Sequence, residues 1–377
     1  MLPGGANLAR MQYPVRLLQF AALAVPLCGT PLSAQASPAH VAGLWCGAGL
    51  LHEFSLEIAQ RSQSVTGKLV RKNKVREITW VPIVLWAALA QTARNAAQRS
   101  LVAQAGTLGA TLARFLYGIP FAGAWVLLLH ALPATAAPLP DFGPGYFGWL
   151  VLGALGQLAA TAFLLAAMKQ RNFVVGVAYS KTDALQVALF GTLFLRELPS
   201  GLTLLAIALA TAGVVMLSLP QKKAALDGRA WTSAAAWYGL ASGAGFALSA
   251  VGYRGAALQL PDVSPWIAGA WGVLIAQSLQ TLLLGGWLAL RAPAALWATA
   301  TAWRVSTLAG AAGALASIGW FTAFALTTAA NVRTLGMVEV VFSYLVSRRL
   351  LREKLAPVEQ GGLALVVAGL LALGLQL

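Results

Sequence analysis

The sequence predicts an all-α polytopic membrane protein with ten transmembrane helices in two inverted five-helix repeats, preceded by a poorly packed N-terminal appendage. Three observations predict this. First, the 377 residues are 59% hydrophobic and only 10% charged, with a mean hydropathy of +0.73, whereas a soluble domain is about a quarter charged. Second, apolar runs long enough to cross a bilayer core of roughly 30 Å follow one another with short connections. Third, the chain contains itself twice. On moving 156 residues along, Leu195, Arg196, Glu197, Ala208, Leu209, Ala212, Gly213, Leu217 and Leu219 meet identical residues, and Asp183 meets Glu339. At a shift of 155, Gln98–Gln104 (QRSLVAQ) meets Tyr253–Gln259 (YRGAALQ).

The first 79 residues differ from the rest. In 1–36, Arg10 and Arg16 precede the apolar stretch Leu17–Val25, and Ala34-Gln35-Ala36 follows, the pattern of a secretory signal peptide. In 37–79, alternation through Phe54, Leu56 and Ile58, and again within Val65–Val75, predicts half-buried strand. So small a segment buries little apolar surface. It reads either as an extracytoplasmic appendage or as an over-extended reading frame whose true product begins near Trp80. The predicted helices cover 80–98, 107–130, 146–168, 174–195, 202–219, 232–254, 265–290, 304–328, 333–350 and 357–376. They fall into repeats 80–220 and 231–377, joined by a polar linker at 221–230. Five spans per half is an odd number, so the second half enters the membrane upside down, an arrangement that recurs in secondary transporters.

These halves resemble the drug/metabolite transporter superfamily in its EamA-type branch, over about 80–377. The resemblance is carried by a fourth helix ending in Leu195-Arg196-Glu197 and Leu351-Arg352-Glu353, each followed by a last helix with Ala-Gly at 212–213 and 368–369. Where that family usually has a proline early in the fourth helix, this chain has Asp183 and Glu339. The resemblance implies movement of small metabolites across the inner membrane without ATP, with both chain ends in the cytoplasm. A count of basic residues beside the connections, twelve against three (Arg196, Arg254 and Arg333), places the ends outside by the positive-inside rule.

The excess of 26 Lys and Arg over 11 Asp and Glu gives a net charge of +15, read as membrane orientation and not as nucleic-acid binding. Both cysteines, Cys28 and Cys46, precede the membrane part, which therefore has no disulfide, thiolate metal site or catalytic cysteine. No P-loop, HExxH or GxSxG motif occurs, so an enzyme, an ATP-driven pump and a resident cofactor are not expected.

Candidate site residues are polar groups within the apolar runs. Asp183 leads, because a charge at the bilayer centre costs roughly 2.5–3.5 kcal/mol and needs a partner or a function. On a helix it shares a face with Tyr179, Gln186 and Phe190. It reads either as a proton-coupling or cation-binding carboxylate, or as a structural ion pair with Lys181, Arg94 or Arg114, of which spacing favours the two arginines. Glu339 is its repeat counterpart. Arg114, two turns inside the second helix, is a candidate clamp for a carboxylate or phosphate. Lys181, Tyr179, Gln186, Gln91, Asn95, Gln157 and Gln277 are weaker candidates, since most such groups only bond between helices. Trp86 and Trp320 are candidate pocket walls. The expected protein is a multi-pass inner-membrane exporter of small metabolites, monomer or homodimer, surrounded by lipid, with proton coupling as a hypothesis. The alternatives are an uncoupled facilitator and a non-transporting accessory membrane protein.

Overall fold

The structure, a computed structural model, describes residues 43–46, 54–61, 64–71, 79–131, 139–168, 179–218, 233–342 and 357–375. The predicted signal segment 1–36, the linker 221–230 and the second hinge at Arg352-Glu353 lie outside these residues. The chain divides into two compact units, Met1–Arg76 and Glu77–Leu377. In the first unit, β1 (Gly43–Cys46), β2 (Phe54–Arg61) and β3 (Ser64–Arg71) form an antiparallel sheet in the order β1-β2-β3. Leu56 pairs with Trp45 on one side and Leu69 on the other. The alternating pattern thus forms strand at 54–61 and 64–71, and β1 adds an edge strand that alternation did not mark.

The second unit is all helical among its described residues. Its elements are α1 (Trp80–Leu116), α2 (Ile119–Ala131), α3 (Pro144–Met168), α4 (Asp183–Leu195), α5 (Gly201–Ser218), α6 (Ala234–Leu258), α7 (Pro265–Arg291), α8 (Pro293–Thr301), α9 (Trp303–Leu326), α10 (Ala329–Gly336) and α11 (Pro357–Gly374). Among the described residues, five stretches are long and apolar enough to cross a membrane: Ser100–Ala131, Pro144–Ala167, Ala234–Leu258, Pro265–Arg291 and Trp303–Leu326. Shorter apolar helices occupy Asp183–Leu195, Gly201–Leu217 and Val358–Gly374. Large apolar side chains such as Leu127, Leu282 and Leu371 stand exposed on the outside. With five long apolar helices, the chain is a multi-pass membrane protein.

Several boundaries differ from the expected ones. The predicted loop at 99–106 is helical up to Gly106, which breaks α1 alone at φ 67°, ψ 173°. This backbone region is essentially restricted to glycine. Gln98 Nε2 donates to the Ala110 carbonyl at 2.8 Å. Twelve residues of straight helix would separate these groups by about 18 Å, so the chain folds back at Gly106. A second turn at Tyr117–Gly118 separates α2 from α1. In the predicted helix 174–195, the described residues open with helical Tyr179 and Ser180, turn at Lys181–Thr182, and continue as α4 from Asp183. In the described part of the predicted helix 333–350, α10 begins earlier, at Ala329, and a turn at Met337 separates it from a helical stretch at 338–342, while 343–350 lie outside the described residues. The expected connection 291–303 carries α8, which begins at Pro293, where the missing N–H costs nothing.

The helices pack in reciprocal pairs. α1 lies closest against α9, α3 against α6, and α5 against α11, with α2 on α7 and α4 on α10. Small residues allow these approaches. A Cβ on Gly252 would lie 2.6 Å from the Gly153 nitrogen, and one on Gly319 would lie 2.7 Å from the Ala87 Cβ. At the α5–α11 crossing, a Cβ on Gly213 would lie 2.5 Å from the Gly362 carbonyl oxygen, and one on Gly369 would lie 2.7 Å from the Ala206 carbonyl oxygen. These two contacts are images of each other under the 156-residue shift, which carries Gly213 onto Gly369 and Ala206 onto Gly362.

Candidate functional site

A cavity lies among α1, α3, α6, α7, α9 and α10 and contains about 670 Å³, its open mouth included. Its cations come from three elements. Arg94 and Arg114 stand on α1, one before and one after the Gly106 break, and Arg333 stands on α10. Gln91, Gln157, Gln277 and Gln280 add amides, and Ser249, Ser317 and Tyr253 add hydroxyls. Phe115, Phe246, Trp320, Phe321 and Phe324 form an aromatic wall. No carboxylate lines this cavity among the described residues.

The Gly106 fold-back brings the two α1 arginines to one place. A Cβ on Gly313 of α9 would lie 3.4 Å from Arg94 Cδ and 3.4 Å from Arg114 Cβ. Two like charges held together raise each other's cost unless an anion joins them. Arg94 donates from Nε and Nη2 to Asn95 Oδ1, at 3.2 and 2.8 Å. Asn95 Nδ2 in turn donates to Glu339 Oε1 at 2.7 Å. Gln91 Nε2 donates to the other oxygen of Glu339, while Trp320 Nε1 donates to Gln91 Oε1 at 3.0 Å. Glu339 is therefore a carboxylate held behind the cavity wall by two amides, and it reaches the lining through Gln91.

Asp183 has a different partner from the expected one. Arg333 Nη2 pairs with Asp183 Oδ2, whereas the sequence favoured Arg94 or Arg114. Sequence reasoning counted Arg333 as a loop charge, but α10 carries it inward against α4. Asp183 is also not in mid-helix. It is the first residue of α4, where the orphan N–H groups and helix dipole favour a negative charge. It is 7% exposed, so the helix end and the arginine together offset its burial. The other two basic residues counted beside it diverge as well. Arg254 donates from Nε to Glu197 Oε1 at 2.8 Å and from Nη1 to the Phe324 carbonyl at 2.8 Å, tying α6 to the hinge after α4 and to the C-terminal turn of α9. Arg196 remains at the surface as the left-handed cap of α4, where its N–H and that of Glu197 converge on the Gly191 carbonyl.

Lys181, Tyr179 and Gln186 do not line the cavity. Lys181 is exposed. Gln186 Nε2 donates to Thr182 Oγ1 at 3.1 Å, and Thr182 Oγ1 donates to the Tyr179 carbonyl at 2.7 Å, so this cluster shapes the turn before α4. Arg114, Arg94, Gln91, Gln157, Gln277 and Trp320 do meet in the cavity as candidates. Trp86 is 53% exposed and takes no part.

Sequence reasoning missed Tyr253, Ser249 and Gln280. Gln280 Nε2 donates to Gln157 Oε1 at 2.7 Å, and Tyr253 donates to the same oxygen at 3.1 Å. The signal was present in the spacing. Gln277 and Gln280 lie three apart on α7, and Ser249 and Tyr253 four apart on α6, each pair on one helix face. No group of three or more metal-ligating side chains occurs among the described residues.

No family model matches the chain, and no curated protein matches it. Among solved structures, one described only as "Crystal structure of protein" aligns with a TM-score of 0.58 at 17% identity, covering 80% of this chain and 98% of that one. The two share a fold, and at that identity the likeness carries nothing further.

Proposed function

We propose that this chain is a secondary transporter that moves small metabolites across the bacterial inner membrane by alternating access, in the manner implied by its resemblance to EamA-type drug/metabolite transporters. The observation that carries this reading is the inversion of polarity. A multi-pass unit with apolar side chains outside holds a cavity of three arginines, four glutamines and three hydroxyls at its centre, contributed by both halves of the chain. Such a cavity is costly to maintain in an apolar environment, and a substrate site supplies the reason for it.

The inverted repeat and the ten spans belong to the same proposal. A twofold relation between the halves requires that a contact of the first helix with the eighth be matched by one of the third with the sixth. The closest packing is α1 on α9 and α3 on α6, which has that form. The Gly213–Gly362 and Gly369–Ala206 contacts support it at the level of single atoms. Two like halves of opposite orientation have two equivalent packings, and exchange between them opens the cavity to each side in turn.

Proton coupling, within this proposal, falls to Glu339. Asp183 is paired directly with Arg333, while Glu339 bonds to two amides, lies within electrostatic reach of Arg94 and Arg333 without a direct ion pair among the described residues, and connects to the lining through Gln91. The experiment is counterflow and net uptake in proteoliposomes carrying the full chain, with and without an imposed pH gradient. Flux that responds to the gradient and loses the response in Glu339→Gln is expected. Equal flux with and without the gradient makes the protein a facilitator, and absence of any flux removes transport.

A further inference from the structure

Arg114 is the unbalanced charge of the cavity. Its Nε and Nη2 are buried and donate to nothing among the described residues. Its guanidinium carbon lies 4.3 Å from the centre of the Phe115 ring, a face contact that leaves those donors unmet. Arg333, on α10, is in a similar condition. Its Nη2 is taken by Asp183, but its Nε is buried without an acceptor among the described residues. Three guanidiniums face the cavity, and the two carboxylates near them, Asp183 and Glu339, stand behind the wall. The balance is a surplus of one positive charge, concentrated where Arg94 and Arg114 flank Gly313. An unpaired buried guanidinium is among the costliest groups a fold can hold.

We infer that the cavity binds a small organic monocarboxylate with a flat apolar body, its carboxylate taken by the fork of Arg114. This rests on the reading of the cavity as the substrate site and names its chemical class. One carboxylate cancels the surplus charge and accepts two parallel N–H bonds from a guanidinium. A phosphate monoester, with about 1.5–2 negative charges, would overbalance it. A cation would face three arginines. The apolar body follows from Phe115, Phe246, Trp320, Phe321 and Phe324, five aromatic side chains lining the same space. One further group points to a donor on the ligand: Gln277 Oε1 is buried and accepts nothing among the described residues. It lies against Gly118, four residues beyond Arg114 in the chain, so a hydroxyl or amide N–H near the carboxylate end has a place to bond.

The test is equilibrium binding to the full chain in lipid nanodiscs with three probes of one shape: 2-naphthoate, neutral 2-naphthamide and 2-naphthyl phosphate. The expected result is naphthoate binding at least about tenfold tighter than the amide and tighter than the phosphate, since a charge-assisted bidentate pair separates them. Arg114→Gln should erase the preference for acid over amide, and Arg114→Lys should keep part of it. Equal binding of acid and amide overturns the inference, as do tighter binding of the phosphate, no binding of any probe, and an undiminished preference in Arg114→Gln. Should Arg114→Gln fail to fold, the three-probe comparison on the unaltered chain decides alone. Flux in proteoliposomes is read separately. Naphthoate that binds but never moves overturns transport and leaves the carboxylate site standing. Transport of another solute that naphthoate neither inhibits nor accompanies overturns the carboxylate site and leaves transport standing.

Discussion

Replacing Asp183 by Asn separates a structural role from a coupling role, because the structure gives it a partner that can be removed too. In Asp183→Asn, Arg333 Nη2 loses its counter-charge. Breaking a buried pair at one end costs about 3–5 kcal/mol when the survivor stays buried. Here the Arg333 side chain is 28% exposed and the Asp183 side chain 10%, so the arginine can turn toward the cavity and recover part of its solvation. About 1–3 kcal/mol is the expected loss, on the order of 3–8 °C in the thermal midpoint at the general scaling for large domains. In Asp183→Asn/Arg333→Gln neither charge remains, and the double variant should lie above the sum of the two single losses by about 1–2 kcal/mol. The assay is thermal unfolding of the four proteins in matched nanodiscs, followed by circular dichroism, beside flux in proteoliposomes. Strict additivity of the midpoints would refute the pairing. A stable double variant with no flux would assign Asp183 or Arg333 a part in transport beyond holding α4 to α10.

Other outcomes follow from the packing. Gly213→Ala and Gly369→Ala should each cost about 1–3 kcal/mol, because in both the new methyl meets backbone of the facing helix, while Gly123→Ala, with no atom within 4 Å, should leave the midpoint unchanged. Gly106→Ala should cost about 1–3 kcal/mol although the space around it is open, because the strain is in the backbone; midpoints in nanodiscs rank all four. Glu197→Gln should loosen the α6–hinge contact by about 1–3 kcal/mol, with faster amide exchange at 196–200, because Arg254 keeps only the carbonyl of Phe324 and its neighbour.

Membrane character was legible from composition, since hydropathy is summed over many residues and no single placement alters it. The polar candidates Arg114, Gln91 and Gln157 were legible for a related reason: an isolated polar side chain in an apolar run must find company inside the protein. Their partners were not legible. Within the ion-pair reading of Asp183, the preference for Arg94 or Arg114 rests on an unbroken helix from 174 to 195, and the turn at Lys181–Thr182 removes that premise. Neither proline nor glycine marks that turn; it is held by the Thr182 hydroxyl on the Tyr179 carbonyl, a bond that many threonines in helices could make and few do. Arg333 was misplaced because α10 is only eight residues long and begins four residues earlier than the apolar run suggested, capped by Thr328. Gly106 was read as part of a loop, although a single glycine suffices to reverse the chain when helix continues on both sides.

The two halves agree in packing and disagree in charge, and the disagreement has a physical reason. The crossing of α5 with α11 uses the same small residues in both directions, Gly213 on Gly362 and Gly369 on Ala206. A substitution on one side would have to be matched on the other for the crossing to stay close. The fourth helices are under no such restraint. Asp183 opens α4 and meets a guanidinium, whereas its repeat counterpart Glu339 follows the break at Met337 and meets two amides. Three arginines against two carboxylates leave one positive charge however the pairs are drawn, and Arg114, with buried donors that meet nothing among the described residues, carries it. Glu339, held by Asn95 and Gln91, stands close enough to Arg94 and Arg333 for its charge to act on both, whereas no carboxylate among the described residues acts so on Arg114. The site keeps its surplus positive charge on the α1 side, at the fold-back that Gly106 makes. On the proposed reading, repeat symmetry supplies the two packings and the broken charge symmetry supplies the binding site. Cancelling the surplus with Gln277→Glu, which sets a carboxylate in the lining of the same cavity as Arg114, should then weaken naphthoate binding about tenfold or more without disturbing the α5–α11 crossing, and unchanged binding would show that the surplus charge is not what holds the ligand.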